Sequence, residues 1–498
     1  MSDDTVRHAL RSNARLVVIE APAGCGKTHQ GAEYVAELAG ASRDRVLILT
    51  HTHAACSVFA ERTRGCGSHV EIRTIDSLIA QVATAYHAGL GVTADPMIWV
   101  RQRPNDGYAQ LAGKVAVLLK RYPMIAQVIA RRYPTIICDE HQDSSADQHA
   151  VAMSLHRGGG RLRIFADPVQ KIFKEANPYS WDSLLESADS VEELDYPHRW
   201  TKGCPKLGKW TLEARTALKN GGKVNLRSRP ASVKVVQVTN IAQRNLDFRL
   251  TQGDRGPIDA FERSKSALLV LTRYNETARA LRSFFNRRIL LWEGHTRSAL
   301  EALVQELEQT NKPEIVASAV VRFMDAVAVG FSPSNYGNRF EAEVAERCVK
   351  STRGKPATIQ GLAKLIVQSP DHRGVSDALR RLHELTQTDS NFADIKFDSH
   401  REFWDAVCLG QFESPADGLA DLAHRRAYAR FQPPDRAIST IHKAKGLECE
   451  NVIVMPCDAR SFPDREDARC LLYVALSRAK RELMLVISAD NPSPLFSE

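Results

Sequence analysis

Ala21-Pro22-Ala23-Gly24-Cys25-Gly26-Lys27-Thr28 is a stretch whose chemistry can be stated at once. Small residues and glycines let the backbone turn tightly. The N–H groups of such a loop, opening into a helix N-terminus, cradle phosphate oxygens. Lys27 would reach the β- and γ-phosphates of a nucleotide, and the Thr28 hydroxyl would hold Mg2+. Ala21 stands where the general pattern has its first glycine. A second cluster, Ile136-Ile137-Cys138-Asp139-Glu140, places two carboxylates just past an apolar run. Asp139 suits a Mg2+-holding role, directly or through water. Glu140 suits a general base that orients an attacking water. Alone, such a pair reads as a solvated strand end; downstream of a phosphate loop it reads as the second half of an ATP site. Gln142 and Asp143 follow on the same loop.

Side chains this far apart in sequence need a scaffold that converges them. Leu16 to Ile19 is a short apolar run of the kind found in buried parallel strands, and residues 29–38 look helical. Val46 to Thr50 reads as a second strand and 54–64 as a second helix; Thr135 to Asp139 and Arg163 to Asp167 read as further strands. Alternating strands and helices predict an α/β fold with a parallel sheet, whose ligands sit outside the carboxyl ends of the strands. The pattern recurs at Ser266 to Thr272, Asn451 to Met455 and Glu482 to Ser488, which suggests a second α/β domain assembled from two separated pieces. The intervening stretch, 291–430, is helix-patterned, and a smaller helical insert is expected at 85–130.

The 498 residues exceed what one core can hold, and a net charge of +8 admits nucleic acid as a partner without demanding it. With 43% hydrophobic and 25% charged residues, the composition is that of an ordinary globular protein. No apolar run approaches the roughly 20 residues of a membrane span, so no membrane partner is expected. Ten cysteines without CxxC pairs argue against a disulfide framework or zinc site and for a cytoplasmic setting.

Further along, the residues resemble a known family. Cys138 to Asp143 resembles the DExQD motif II of superfamily 1 helicases of the UvrD/Rep/PcrA type. The other motifs follow in that family's order. Thr50 to Cys56, leading to Glu61-Arg62, resembles motif Ia, and Thr74 to Leu78 the TFHSF segment. Ala166 to Phe173 resembles motif III, Tyr196 to Arg199 the NYR of motif IV, and Leu268 to Tyr274 the strand after it. Ser439 to Glu448 resembles motif V and Leu472 to Lys480 motif VI, both nearly unaltered.

The resemblance implies two RecA-like P-loop NTPase domains, each carrying a helical insertion. Domain 1A would comprise 1–84 and 131–191, insert 1B 85–130, domain 2A 192–290 and 431–498, and insert 2B 291–430. ATP and Mg2+ would occupy the cleft between 1A and 2A. Gln170 would sense the γ-phosphate, Arg199 and Arg478 would stabilise transition-state charge, and Glu448 would contact the sugar. His198 takes the place of an adenine-stacking tyrosine. Thr52, His53, Thr74, Phe173, Thr440 and His442 would line a track for single-stranded or partly duplex DNA; Phe173 reads equally well as a core aromatic. The implied activity is that of a 3′-to-5′ translocase or helicase.

Several positions depart from the family pattern. A base-stacking Trp-Arg-Gly segment is replaced by Lys174-Glu175-Ala176-Asn177, an upstream adenine-reading glutamine is missing from Val6-Arg7-His8, and motif Ia carries His51 and Ala54. Such a drifted strand track in a short chain resembles the helicase-like subunit of the Gabija anti-phage system, which works with an OLD-family nuclease. The alternative expectation is therefore a nucleic-acid-sensing ATPase subunit that regulates a partner nuclease and unwinds little itself.

Overall fold

A computed structural model describes residues 2–41, 44–103, 106–173, 177–239, 242–244, 247–250, 252–292, 298–397, 399–428 and 434–497. The chain divides into two compact units, Met1–Thr277 with Thr440–Glu498, and Ala278–Ser439.

The first unit contains two parallel sheets. In one, β1 (Leu16–Glu20), β2 (Val46–Thr50), β3 (Val70–Thr74), β4 (Thr135–Cys138), β5 (Arg161–Ala166) and β6 (Ser190–Glu193) lie in the order β3-β2-β4-β5-β1-β6. Every pairing is parallel, with Glu20 opposite Ala166 and Leu49 opposite Cys138. Side chains alternate between the two faces, as the two-residue period of a strand requires. Leu16, Val18, Leu47, Leu49, Ile136 and Ile164 enter one core, while Val17, Ile19, Val46, Ile48, Ile137 and Phe165 enter the other. Both faces are covered, so the inner strands read as unbroken apolar runs.

The edge strands do not read that way. Val70-Glu71-Ile72-Arg73-Thr74 carries charges in alternation and Ser190-Val191-Glu192-Glu193 ends in two acids, and the sequence reading missed both as strands. Charge on an edge blocks pairing with other chains, at the cost of hiding the strand from a search for apolar runs.

Helix Gly107–Arg121 lies within the expected 85–130 insert and helix Pro123–Arg132 runs two residues past it, yet Leu111, Val115, Leu119 and Ile125 share the core of the first sheet with Leu16, Val18 and Ile136. This stretch is a lid on one face of that sheet.

The second sheet of this unit runs Leu268–Thr272, Cys449–Cys457, Ala479–Ser488 and Val233–Val238, again all parallel. The last of these strands was not foreseen. The strands at 449–457 and 479–488 extend beyond their expected apolar cores, because partly buried polar residues such as Glu450 and Lys480 continue the ladders.

The second unit is largely helical. Helices from Ser298–Gln309 to Pro415–Tyr428 enclose a core that includes Leu300, Met324, Phe340, Ile366, Leu379 and Phe403. Its longest helix, His372–Thr388, is capped by Asp371, which accepts from the N–H groups of Arg373 and Gly374 at 2.9 and 3.1 Å.

Candidate nucleotide and strand site

The phosphate loop leaves β1 and opens helix Lys27–Ala41. Ala21 donates its N–H to Ala166 across the ladder at 2.8 Å, and the Cys25 N–H closes a turn onto the Pro22 carbonyl at 3.2 Å. Gly24 and Gly26 have φ of +77° and +86°, conformations that cost an L-residue roughly 1–2 kcal/mol. Space is also short. A Cβ on Gly24 would lie 2.7 Å from the Trp200 ring, and one on Gly26 3.0 Å from the His198 ring. The segment His198-Arg199-Trp200 therefore clamps the loop, and the Arg199 N–H donates to the Gly24 carbonyl at 3.0 Å. Trp200 is fully buried and donates from its indole to the Ala479 carbonyl at 2.7 Å. The Ala23 N–H donates to the Tyr473 hydroxyl at 2.9 Å. Sequence reasoning missed both aromatics; Tyr473 stood in a quoted motif without a role. The Cys25 thiol is pushed far up by burial and stays protonated.

Lys27 starts the helix and points at the acidic end of β4. Its Nζ lies 3.3 Å from an Asp139 oxygen and pairs closely with Glu140. Burial alone would lower the lysine's pKa; the two carboxylates outweigh it and hold the ammonium charged. Burial raises the Asp139 pKa, helped by neighbouring Glu140 and opposed by Lys27. For Glu140 burial also works upward, but Lys27 and Lys445 win and keep it ionised. Glu140 has φ +54°, the left-handed region that a non-glycine residue seldom occupies, and this turns its side chain off the strand axis toward Lys27. Gln142 braces the turn. Its amide donates to Glu140 at 2.5 Å, and its carbonyl accepts from the Asp167 N–H at 3.0 Å. Thr28, second in the helix, is partly exposed.

Gln170 is buried after β5 and donates to Asp167 at 2.8 Å. Asp167, wholly buried, is also held by Arg215 at 2.9 Å, and Arg215 reaches Glu20 and Glu193 as well. Arg215 carries no motif signature and was not foreseen. Burial brings the Arg478 pKa down to about 10, with the Arg199 charge adding to the effect, and Arg478 remains a cation at neutral pH. Its guanidinium bonds the carbonyls of Val474 and Leu447 and lies 3.5 Å from the Gln170 side-chain oxygen. Arg199 donates to the Ser477 carbonyl at 2.6 Å and pairs with Glu448. His198 sits 2.8 Å from an Asp3 oxygen and edge-on to the Tyr196 ring, so the N-terminal helix Ser2–Arg11 reaches this group.

The candidate strand residues divide. Thr52 and Thr74 each cap a helix, Thr74 being buried and Thr52 exposed. Thr440 is buried at the end of strand Arg436–Thr440. Phe173 is 44% exposed, which rules out the core reading, and the His442 ring lies 6.2 Å from it. The His53 side chain and residues Lys174 to Ala176 lie outside the described residues. Lys445, one turn beyond His442, lies 5.1 Å over the Phe173 ring and bonds both oxygens of Asp143.

A family model described as the UvrD-like helicase C-terminal domain matches residues 436–486, and one described as an AAA domain matches residues 3–228. The C-terminal stretch is thus similar to UvrD-like helicases and the N-terminal stretch to AAA domains. The two matches cover the phosphate loop, motif II and motifs V and VI, so nucleotide binding goes with this helicase homologue's two parallel sheets. No curated protein matches it. Among solved structures it is similar to the crystal structure of arterivirus nonstructural protein 10, a helicase, at 11% identity and a TM-score of 0.34, over 96% of this chain and 60% of that one. It thus spans about 60% of that protein's length. Among the described residues no helix is long and apolar enough to cross a membrane.

Proposed function

We propose that this helicase homologue is a nucleic-acid-dependent ATPase that moves 3′-to-5′ along single-stranded DNA and separates strands as it goes. The observation that carries the reading is Lys445. One side chain of motif V bonds Asp143 on the hydrolytic loop and the Gln170 carbonyl, three to five residues from Thr440 and His442. A strand held by Thr440, His442 and the Phe173 face would thereby bear on the residues that surround the γ-phosphate.

In this reading Lys27 binds the β- and γ-phosphates, and Gln170 registers the γ-phosphate. Glu140 orients the attacking water. Arg199 and Arg478 stabilise the charge that develops, Arg199 leaving Glu448 to do so. Glu448 is then free for the sugar, and His198 for the base. Mg2+ would be held by Thr28 and Asp139, where it supplies charge neutralisation to the phosphates. Asp139 suits this: one of its buried carboxylate oxygens has no hydrogen bond, although Lys27 lies nearby. The proposed domains are 1A (1–84, 131–191), 1B (85–130), 2A (192–290, 431–498) and 2B (291–430).

The test is ATP hydrolysis by the purified chain with and without single-stranded DNA. Strong stimulation is expected. Hydrolysis without stimulation would overturn the motor reading.

One observation favours a second reading, in which the ATPase senses nucleic acid and governs a partner nuclease of OLD type in anti-phage defence. Val117, Met124 and Val128 are 65%, 59% and 63% exposed on two consecutive helices, apolar side chains that a partner subunit would cover. Duplex unwinding that appears only with a nuclease partner present would select this reading.

A further inference from the structure

His51, Ser144, His141 and His149 form a hydrogen-bonded chain that the roles above do not use. His51 Nε2 lies 3.0 Å from Ser144 Oγ, which lies 3.2 Å from His141 Nδ1; His141 Nε2 then lies 3.0 Å from His149 Nδ1. Ser144 and His141 are buried. Tyr179 fixes the far end. Its ring stacks on His149 at 4.4 Å and 9°, and its hydroxyl donates to the His141 carbonyl at 3.1 Å. Burial pushes the His51 and His149 imidazoles below their usual pKa. His141 is buried with only a hydroxyl and another imidazole on its ring nitrogens, partners that offer no charge to balance a cation, so the neutral ring is the one that fits there.

A neutral imidazole has one N–H and one bare nitrogen, and a hydroxyl has one proton to give. His141 uses both ring nitrogens, and Ser144 is bonded on both sides. A hydroxyl oxygen accepts twice but donates once. When Ser144 donates to a bare His51 Nε2, its bond to His141 must therefore be one it accepts, and His141 Nε2 must in turn accept from His149. The proton position on His51 then fixes every other link.

One end and one interior link lie at functional places. His51 directly follows β2 and precedes Thr52, a proposed strand-contact residue. His141 directly follows Glu140, and the Glu140 charge acts on His51. We propose that this chain is a two-polarity relay coupling strand engagement at the end of β2 to the hydrolytic loop, with Ser144 as its positioning residue. The inference rests on the strand-driven ATPase reading. A phosphate oxygen only accepts, so engaging His51 at Nδ1 requires the proton there. His51 Nε2 must then accept from Ser144, and the polarity runs from His149 to His51. The reversal turns the imidazole dipoles beside the Glu140 carboxylate, which gives both sites a shared two-state element.

The experiment uses the full chain with Ser144→Ala, His149→Phe and the double variant. Unstimulated hydrolysis and the strand concentration giving half-stimulation are expected to stay near wild type. The maximal strand-stimulated rate should fall about tenfold, within the usual range of coupling between sites. Ser144 and His149 do not touch, yet a series chain broken once is broken, so the double variant should be no worse than either single one. Additive losses, an equal fall in unstimulated hydrolysis, or stimulation undiminished in Ser144→Ala would each overturn the relay while wild type is still stimulated. A wild-type chain that the strand does not stimulate would instead overturn the strand-driven reading, and the relay with it.

Discussion

Lys445 holds Asp143 with its ammonium 2.6 Å from both carboxylate oxygens, joining two segments that lie 302 residues apart in sequence. The pair is nearly buried, its side chains 11% and 10% exposed. Burial raises the Asp143 pKa and Lys445 opposes it, so the ionised carboxylate depends on its partner. Lys445→Ala should therefore lower strand-stimulated hydrolysis more than unstimulated hydrolysis. A cycle with Asp143→Asn should give an interaction energy on the order of 1–3 kcal/mol. Additive effects in that cycle would show that the contact is incidental.

At the phosphate loop, Lys27→Ala should abolish hydrolysis, since the phosphates lose their cation. Glu140→Gln should retain nucleotide binding and lose turnover. Fluorescent-nucleotide titration beside a hydrolysis assay separates the two. Full activity in the lysine variant would sink the ATPase reading, and loss of nucleotide affinity in Glu140→Gln would make Glu140 structural.

Gly24→Ala should weaken nucleotide binding while leaving most of the fold. The added methyl meets Trp200 at 2.7 Å at a φ of +77°, so the loop must shift away from the Arg199 segment. Wild-type affinity by the same titration would show that the clamp yields freely.

Arg215 is 3% exposed and faces Asp167, Glu20 and Glu193. Removing one partner of a buried ionic group strands the others, at a typical cost of about 3–5 kcal/mol. Arg215→Ala should lower the denaturant midpoint accordingly, and Gln170 should lose its anchor through Asp167. A midpoint unchanged from wild type would mean that water replaces the guanidinium.

Acid should destabilise the first unit earlier than its carboxylates would suggest. His51 and His149 are each brought from 6.5 down to about 4, chiefly by burial, with Arg157 adding to the effect at His149. A depressed folded pKa gives stability that is present above the unfolded value and lost as pH falls toward the folded one. Between pH about 6.5 and about 4 each imidazole should therefore cost up to about 1.4 kcal/mol per pH unit. Urea midpoints at pH 7 and pH 5 test this. His149→Phe should flatten the slope, and an unaltered slope would mean that the ring is hydrated.

The α/β class and its inner strands were legible because strands buried on both faces are continuous apolar runs. Val70–Thr74 and Ser190–Glu193 were not, since these edge strands carry charges that break the apolar run. At the site, Lys27, Asp139 and Glu140 were readable from local spacing: each follows a strand, and parallel strands deliver their carboxyl ends to one side. Arg215 was not readable. It sits in an ordinary helix, and only the register of that helix against β1, β5 and β6 makes its neighbours acidic. His51, His141 and His149 were visible as residues, but 90 positions separate the first two, and no local period announces a chain of hydrogen bonds.

The helices at 107–132 have a consequence for how this protein can vary. Leu111, Val115 and Leu119 roof the same face of the sheet that Leu16 and Ile136 floor. Shortening that segment would leave the phosphate-loop sheet wet on one side, so the cost would fall on solubility and on the nucleotide site together. Loop changes that alter substrate choice are tolerable at the rim of such a roof, and length changes within it are not.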